Sequence, residues 1–303
     1  MNRLPEQGSG HQKQITELVI LSGKGGTGKT TLAASFATLA RSLVLADCDV
    51  DAADLHLVTS PEIRQRHPFI AGKEAVVDES ACTGCGLCAS ACRFDAFQEI
   101  RDGKRRVIPV RCEGCGLCVH ICPEEAIRFE DRVCGEWMVS DTRFGPMVHA
   151  RLHAAGENSG KLVTLVRKEA RRIATERSLS LILVDGPPGI GCPVISSVTG
   201  SSAVLMVTEP SVSGIHDLER VTALARGFGV PVFVCVNKAD IDMALTEEIK
   251  RRTEDSHDRF AGTIGFDEQM VRAQLEGKSA MESITGNTRA MIERIWENIW
   301  TAM

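Results

Sequence analysis

Apolar positions fall into two registers along this chain. Continuous apolar runs recur at residues 18–21, 43–46, 181–184, 203–207 and 232–236. Runs of that length without polar alternation read as strands buried on both faces of a parallel sheet. Between them the apolar residues switch to helical spacing. Residues 32–37 follow the first strand, and Leu162, Leu165, Val166, Ala170, Ile173 and Ala174 precede the third, with a helix start expected at 157–161. Further helices are expected at about 215–227 and 268–276, and a last one carries Met291, Ile292, Ile295, Trp296, Ile299 and Trp300. Short strands at 137–141 and 146–152, with Gly145 in the turn, read as a hairpin, and 261–266 as a final strand. Strand alternating with helix predicts an α/β fold with a mostly parallel, doubly covered sheet.

The pattern breaks between 76 and 133. There Cys82, Cys85, Cys88 and Cys92 recur as Cys112, Cys115, Cys118 and Cys122, each displaced by 30 residues, and Gly-Cys-Gly-Leu-Cys is identical in both copies. Each half is C-x2-C-x2-C-x3-C, in which three cysteines wrap one cluster and the fourth ligates the other. The spacing therefore assigns Cys82, Cys85, Cys88 and Cys122 to one 4Fe-4S cluster, and Cys112, Cys115, Cys118 and Cys92 to a second. Zinc is the alternative for cysteine pairs, and eight cysteines in this tandem argue against it. The second run ends Cys122-Pro123 and the first Cys92-Arg93. A cation there is expected to raise the potential of its cluster above that of the twin. The segment reads as an α+β, bacterial-ferredoxin-like domain at 76–133, inserted in the α/β domain formed by 15–75 and 134–303.

The first strand runs into Gly23, Lys24, Gly25, Gly26, Thr27, Gly28, Lys29, Thr30 and Thr31, and then into a helix. This is G-x-x-x-x-G-K-[ST], whose bare backbone amides and helix N-terminus cradle phosphates. Lys29 is expected on the β/γ-phosphates of ATP and Thr30 on Mg2+. Asp47, Asp49, Asp51 and Asp54 leave the next strand beside that loop, where ligands of open parallel sheets bind. Asp185 closes the third strand ahead of Gly186-Pro187-Pro188-Gly189, the Walker B position, where it would hold the Mg2+ shell and Gly189 would sense the γ-phosphate.

Composition narrows the class. The 303 residues carry a net charge of −5, which gives no footprint for nucleic-acid binding. No run reaches the ~18 apolar residues of a membrane span. Residues 1–14 are polar without an apolar core, which reads as a disordered tail and not a signal peptide. A cytoplasmic location is expected.

K-G-G-T-G-K-T, with Lys24 as a second lysine, resembles the deviant loop of the MinD/ParA/Mrp group of P-loop ATPases and of the nitrogenase iron protein. The resemblance covers nearly the whole chain and implies Mg-dependent ATP hydrolysis in a nucleotide-dependent homodimer, with Lys24 reaching into the partner's site. It also implies that Asp49 orients the attacking water, that Asn237 contacts adenine, and that the loop of Glu209 and Pro210 borders the base. With the clusters, it points to nucleotide-gated, low-potential electron transfer to a redox partner protein. Two other readings stand beside it, a Mrp-like cluster carrier and a redox-sensing, MinD-like positioning ATPase. Mrp-type carriers use a C-terminal C-x-x-C, and this chain has none after Cys192. Cys192, seven residues after Asp185, corresponds by resemblance to a cluster ligand at the dimer axis of the iron protein; a free thiol in a turn is the alternative. MinD ends in a membrane-binding helix, but here Glu293 and Glu297 accompany Arg289 and Arg294, so the last helix is expected to pack on the sheet.

Overall fold

The computed structural model describes residues 15–153, 156 and 158–303; the expected tail at 1–14 and Glu157 lie outside them. In chain order the elements are β1 (Thr16–Ser22), α1 (Lys29–Leu39), β2 (Leu43–Asp47), α2 (Leu55–Thr59), β3 (Glu62–Val77), α3 (Leu87–Ala91), β4 (Phe97–Glu99), β5 (Arg105–Val107), α4 (Leu117–Ile121), β6 (Ile127–Thr142) and β7 (Gly145–Leu152). There follow α5 (Ser159–Glu176), β8 (Leu181–Pro188), α6 (Cys192–Val198), β9 (Ala203–Thr208), α7 (Val212–Gly227), β10 (Val232–Asn237), α8 (Met243–Asp255), β11 (Arg259–Ile264), α9 (Glu268–Leu275), α10 (Ala280–Ser283) and α11 (Gly286–Ala302). The chain divides into two compact units, one of Met1–Gln65, Met138–Ala150 and Gly160–Met303, the other of Arg66–Trp137 and Arg151–Ser159. The composition shift at 76 and 133 lies inside the borders of the second, because β3 and β6 are long strands that cross from one unit into the other.

The sheet runs β11-β10-β9-β1-β8-β2-β7-β6-β3. The pairs from β11 through β7 are parallel. Its strands are the continuous apolar runs, buried along their length in β1, β2, β9 and β10. A single core joins Ile20, Phe36, Leu45, Leu183, Leu205 and Phe233 to the last helix. In α11, Ile292, Ile295 and Ile299 are at most 1% exposed, and the Trp296 ring lies 5.1 Å from that of Phe36. The apolar stripe of α11 thus faces the core. Among the described residues no helix is long and apolar enough to cross a membrane.

Two strands depart from expectation. β6 begins ten residues before the expected 137, since its first half is mostly exposed and offers no apolar run. β3 has no counterpart in the sequence reading. It ends the strand order, its residues are largely exposed, and it contains Pro68 and Gly72, both of which argue against a central strand and suit an edge.

The second unit repeats itself in three dimensions. Gly86 and Gly116 take φ of 76° and 74°, a left-handed conformation that glycine adopts at no steric cost, and each caps a five-residue helix. The N–H of Ala96 donates to Cys92 Sγ at 3.5 Å and that of Ala126 to Cys122 Sγ at 3.4 Å. β4 and β5 form a separate antiparallel pair. A small core of Ala75, Cys88, Val107 and Ile127 lies between the halves, with Cys112, Cys118 and Cys122 packed against it.

Candidate functional site

β1 hands the chain at Ser22 to a loop that ends at Gly28, the N-cap of α1, with φ 96°. A Cβ at Gly28 would lie 2.4 Å from Asn237 Nδ2, so glycine is required there for both backbone and space. Asn237, at the end of β10, donates that Nδ2–H to the Thr27 carbonyl at 2.8 Å. The loop borders a cavity of about 410 Å³ lined by Gly25 through Thr31, Asp49, Ala52, Asp54, Pro188, Asn237, Lys238 and six residues of the 265–274 segment.

Charge is concentrated on its floor. Lys29 Nζ lies 3.2 Å from Asp49 Oδ2 and 3.6 Å from Asp185 Oδ1. Thr30 Oγ1 donates to Asp185 Oδ2 at 2.7 Å. Asp47 and Asp185 are fully buried, and Lys29 and Asp49 are 7% and 9% exposed. Asp47 accepts from the N–H of Asp49 at 3.2 Å and of Leu55 at 3.3 Å. Burial would lower the Lys29 ammonium, but Asp185 and Asp49 outweigh it and hold the pKa above its ordinary value. Burial pushes the carboxyls of Asp47, Asp49 and Asp185 up, against the pull of Lys29. Among the described residues Asp185 Oδ1 is buried without a hydrogen-bond partner, its nearest cation being the Lys29 ammonium at 3.6 Å. A hydroxyl and a carboxylate already in contact, with one oxygen unsatisfied, suit the water shell of Mg2+.

Lys24 does not line the cavity. It pairs with Glu209 Oε1 and lies 3.4 Å from Ser213 Oγ. Lys238 reaches Glu209 Oε2 at 3.3 Å and the Gly26 carbonyl at 3.1 Å. These lysines, Lys24 foremost, hold the Glu209 carboxyl below its ordinary range. Gly189 lies off the cavity wall; its N–H donates to the Ser22 carbonyl at 2.9 Å. Pro210 is also off the wall. Gly23 packs against Asp217, which a Cβ would strike at 2.0 Å. Lys238 and the Gly265–Gln274 wall escaped the sequence reading, which placed Asp47 beside the loop without giving it a role. Asp47 was visible as the strand-closing residue, whereas the others come together only through tertiary structure.

The eight cysteines of the repeat stand around two spaces. Cys82, Cys85, Cys88 and Cys122 line one cavity. Cys92, Cys112, Cys115 and Cys118 line another of about 300 Å³, with Cys88 also on its wall. Burial raises the Cys88 thiol, with Cys82, Cys122 and Cys85 adding to the shift. Burial also pushes Cys118 up to about 11, with Cys112 and Cys115 adding. Among the described residues no three Cys, His, Asp or Glu side chains converge tightly enough for a single ion. Outside the repeat, Cys48, Cys134 and Cys235 are buried and Cys192 is exposed at the start of α6. The Cys134 thiol donates to the Ala71 carbonyl at 2.9 Å.

Phosphate-cradling amides at the carboxyl end of a parallel sheet, beside a paired lysine and aspartate, define a P-loop nucleotide-binding protein. Within that class the chain belongs to the CobQ/CobB/MinD/ParA nucleotide binding domain family, whose profile matches residues 18–280. It is 33% identical over 227 residues to an uncharacterized protein of Methanocaldococcus jannaschii, covering 74% of this chain and 78% of that one. Its fold is similar to MinD of Pyrococcus horikoshii OT3 complexed with Mg-ADP, at a TM-score of 0.57 and 16% identity, over 94% of this chain and 96% of the other. The MinC:MinD complex of Aquifex aeolicus aligns at 0.56 and 18% identity over 94% and 96%. MinD and ParA members of the family are ATPases.

Proposed function

We propose that this chain is a Mg-dependent ATPase that carries two 4Fe-4S clusters and gates low-potential electron transfer to a redox partner. The observation that carries the reading is the grouping of the eight thiols around two cavities, Cys82, Cys85, Cys88 and Cys122 on one and Cys92, Cys112, Cys115 and Cys118 on the other, with Cys88 reaching both. The grouping follows the ligand rule of two-cluster ferredoxins. The fit extends beyond the ligands, because Ala96 and Ala126 donate N–H groups to Cys92 and Cys122, and such donors stabilise a thiolate. Each cluster, when bound, supplies one-electron chemistry at low potential.

The nucleotide site supports the switching half. Lys29 is held by Asp49 and Asp185, and an arriving phosphate competes for the same ammonium. Thr30 and Asp185 would hold Mg2+, and Asp49, released from Lys29, would be free to orient water. Phosphate entry is thereby coupled to the segment from Asp47 to Asp54. Lys24 would leave Glu209 to reach a second subunit. That pair is partly exposed, at 38% and 20%, and breaking such a pair costs about 0–1 kcal/mol. A positioning ATPase with redox-sensing clusters is the second reading. It is favoured by 26% identity to a putative MinD of Mesostigma viride, over 77% of this chain and 65% of that one.

Anaerobic purification with iron and sulfide analysis should give about eight irons per chain, and dithionite should develop cubane EPR signals. Re-oxidation of the reduced protein by a viologen acceptor should accelerate with MgATP and lose that acceleration in Lys29→Ala. A zinc-filled protein with no reducible centre would sink the cluster reading, and clusters indifferent to MgATP would leave the positioning reading in its place.

A further inference from the structure

The two halves of the cysteine-rich unit share the loop Gly-Cys-Gly-Leu-Cys but not the group that covers it. A Cβ at Gly116 would meet the Phe129 ring at 3.6 Å, whereas one at the equivalent Gly86 would meet Nη2 of Arg105 at 3.6 Å. The repeat partner of Phe129, 30 residues earlier, is Glu99. Glu99 is also what holds Arg105. The two are cross-strand partners in β4 and β5, and Arg105 Nη1 donates to Glu99 Oε2. Arg105 lines the cavity of Cys82, Cys85, Cys88 and Cys122. Its Nε–H is buried and, among the described residues, has no hydrogen-bond partner. Such a donor is costly to leave unpaired, and Arg105 stands on the wall of the cavity that these four thiols line.

We propose that Arg105 is a positioning residue for the cluster of Cys82, Cys85, Cys88 and Cys122, giving that cluster a buried guanidinium N–H donor on its cavity wall. This rests on the cluster reading above. Hydrogen bonds to sulfur and added positive charge both favour the reduced, more negative form. The centre beside Arg105 therefore accepts its electron at the higher potential, and its twin under Phe129 at the lower. The sequence expectation was the reverse, with Arg93 raising the cluster that Cys92 ligates. Arg93 is exposed and shares its cavity rim with Glu113, so water, salt and an opposing charge screen it. The Arg105 side chain is only 22% exposed.

The test is a mediated potentiometric titration of the anaerobic full-length protein, with dithionite as reductant and EPR as readout. Wild type should show two separated one-electron waves. Arg105→Gln should lower the upper wave and leave the lower one in place, and Arg105→Lys, which keeps the charge but not the Nε–H, should fall between. Glu99→Gln removes the compensating carboxylate and should raise the upper wave. With about eight irons retained, unmoved waves in Arg105→Gln overturn the proposal, as does a larger shift from Arg93→Gln. If Arg105→Gln loses iron, Glu99→Gln decides, and an unmoved upper wave there is equally fatal. A wild type without cubane signals refutes the cluster reading itself, a different failure.

Discussion

Lys29→Met leaves the buried carboxylates of Asp47, Asp49 and Asp185 without the ammonium that pulls down the pKa of each. Methionine keeps the apolar stem and lacks only the terminal ammonium position, so the loss is mainly electrostatic. Breaking a buried pair by removing one partner costs about 3–5 kcal/mol, and Lys29 sits within 3.2 Å of one carboxylate and 3.6 Å of another. In a chain of this size that corresponds to roughly 2–4 °C in Tm per kcal/mol. The sign of the pH dependence follows from linkage. Carboxyls raised above 3.8 by burial weaken the fold at neutral pH, and proton uptake relieves them as pH falls through their raised values. Removing Lys29 raises them further, so the deficit should be largest near neutrality and shrink toward the ordinary carboxylate range. In wild type, Lys29 is held above 10.5; its stabilisation is complete below that value and is lost only as pH rises through the raised one. Guanidinium unfolding of the nucleotide-free protein, followed by tryptophan fluorescence, measures both limbs. A deficit below about 1 kcal/mol, the range of exposed pairs, would refute the claim that Lys29 neutralises this floor. So would one that stays constant as pH falls from neutrality toward the ordinary carboxylate range, since the histidines are common to both proteins and cancel from the difference.

Three further outcomes are expected. Gly28→Ala forces a Cβ into a left-handed residue 2.4 Å from Asn237 Nδ2, so calorimetry should find ATP binding lost, and Asn237→Ala in the same chain should recover part of it. Lys24→Ala should abolish hydrolysis while ATP binding persists, because Lys24 lies off the cavity wall; a normal turnover rate would exclude a role in the partner's site. Ile299→Ala, fully buried in α11, should cost about 2–5 kcal/mol, and a negligible change in the unfolding midpoint would mean the helix is not packed as described.

The strands read most directly from the sequence are those buried on both faces, while β7, β11 and the second half of β6 were read from shorter runs. β1, β2, β8, β9 and β10 have no polar alternation to confuse with a helix, and the phosphate loop is a contiguous motif between two such elements. β3 was hidden because an edge strand need not be hydrophobic, and Arg64, Arg66 and Lys73 along it carry ion pairs instead. α8 was hidden for a related reason. Of its side chains only Thr246, Ile249 and Thr253 are buried, too thin a stripe to announce a helix, although Asp242 caps it by accepting from the Leu245 N–H. The Lys24–Glu209–Lys238 clamp joins three loops far apart in sequence, and no spacing rule reaches it. Gly189, the expected γ-phosphate sensor, donates its N–H to the Ser22 carbonyl, a contact made where β8 runs beside β1 and one that no spacing rule reaches.

The cysteine repeat separates what spacing determines from what folding determines. The cysteines follow the 30-residue period, so the expected grouping of the thiols could be read from their places in the pattern, and the structure lines two cavities with those groups. The groups covering the ligand loops do not obey that period. Arg105 reaches the first loop from β5, and its repeat counterpart is Gly135, which has no side chain to offer. Phe129 covers the second loop from β6, where its counterpart Glu99 serves as the anchor of Arg105. Two halves with one ligand pattern thus acquire different neighbours through a glutamate in one copy and a phenylalanine in the other. A duplicated site can diverge in this way without touching a ligand, since metal binding depends on the thiols while charge and donors near the sulfurs set the potential. With the proposed clusters in place, an ordered pair of potentials would give electrons a direction across the unit, which a symmetric duplicate would lack.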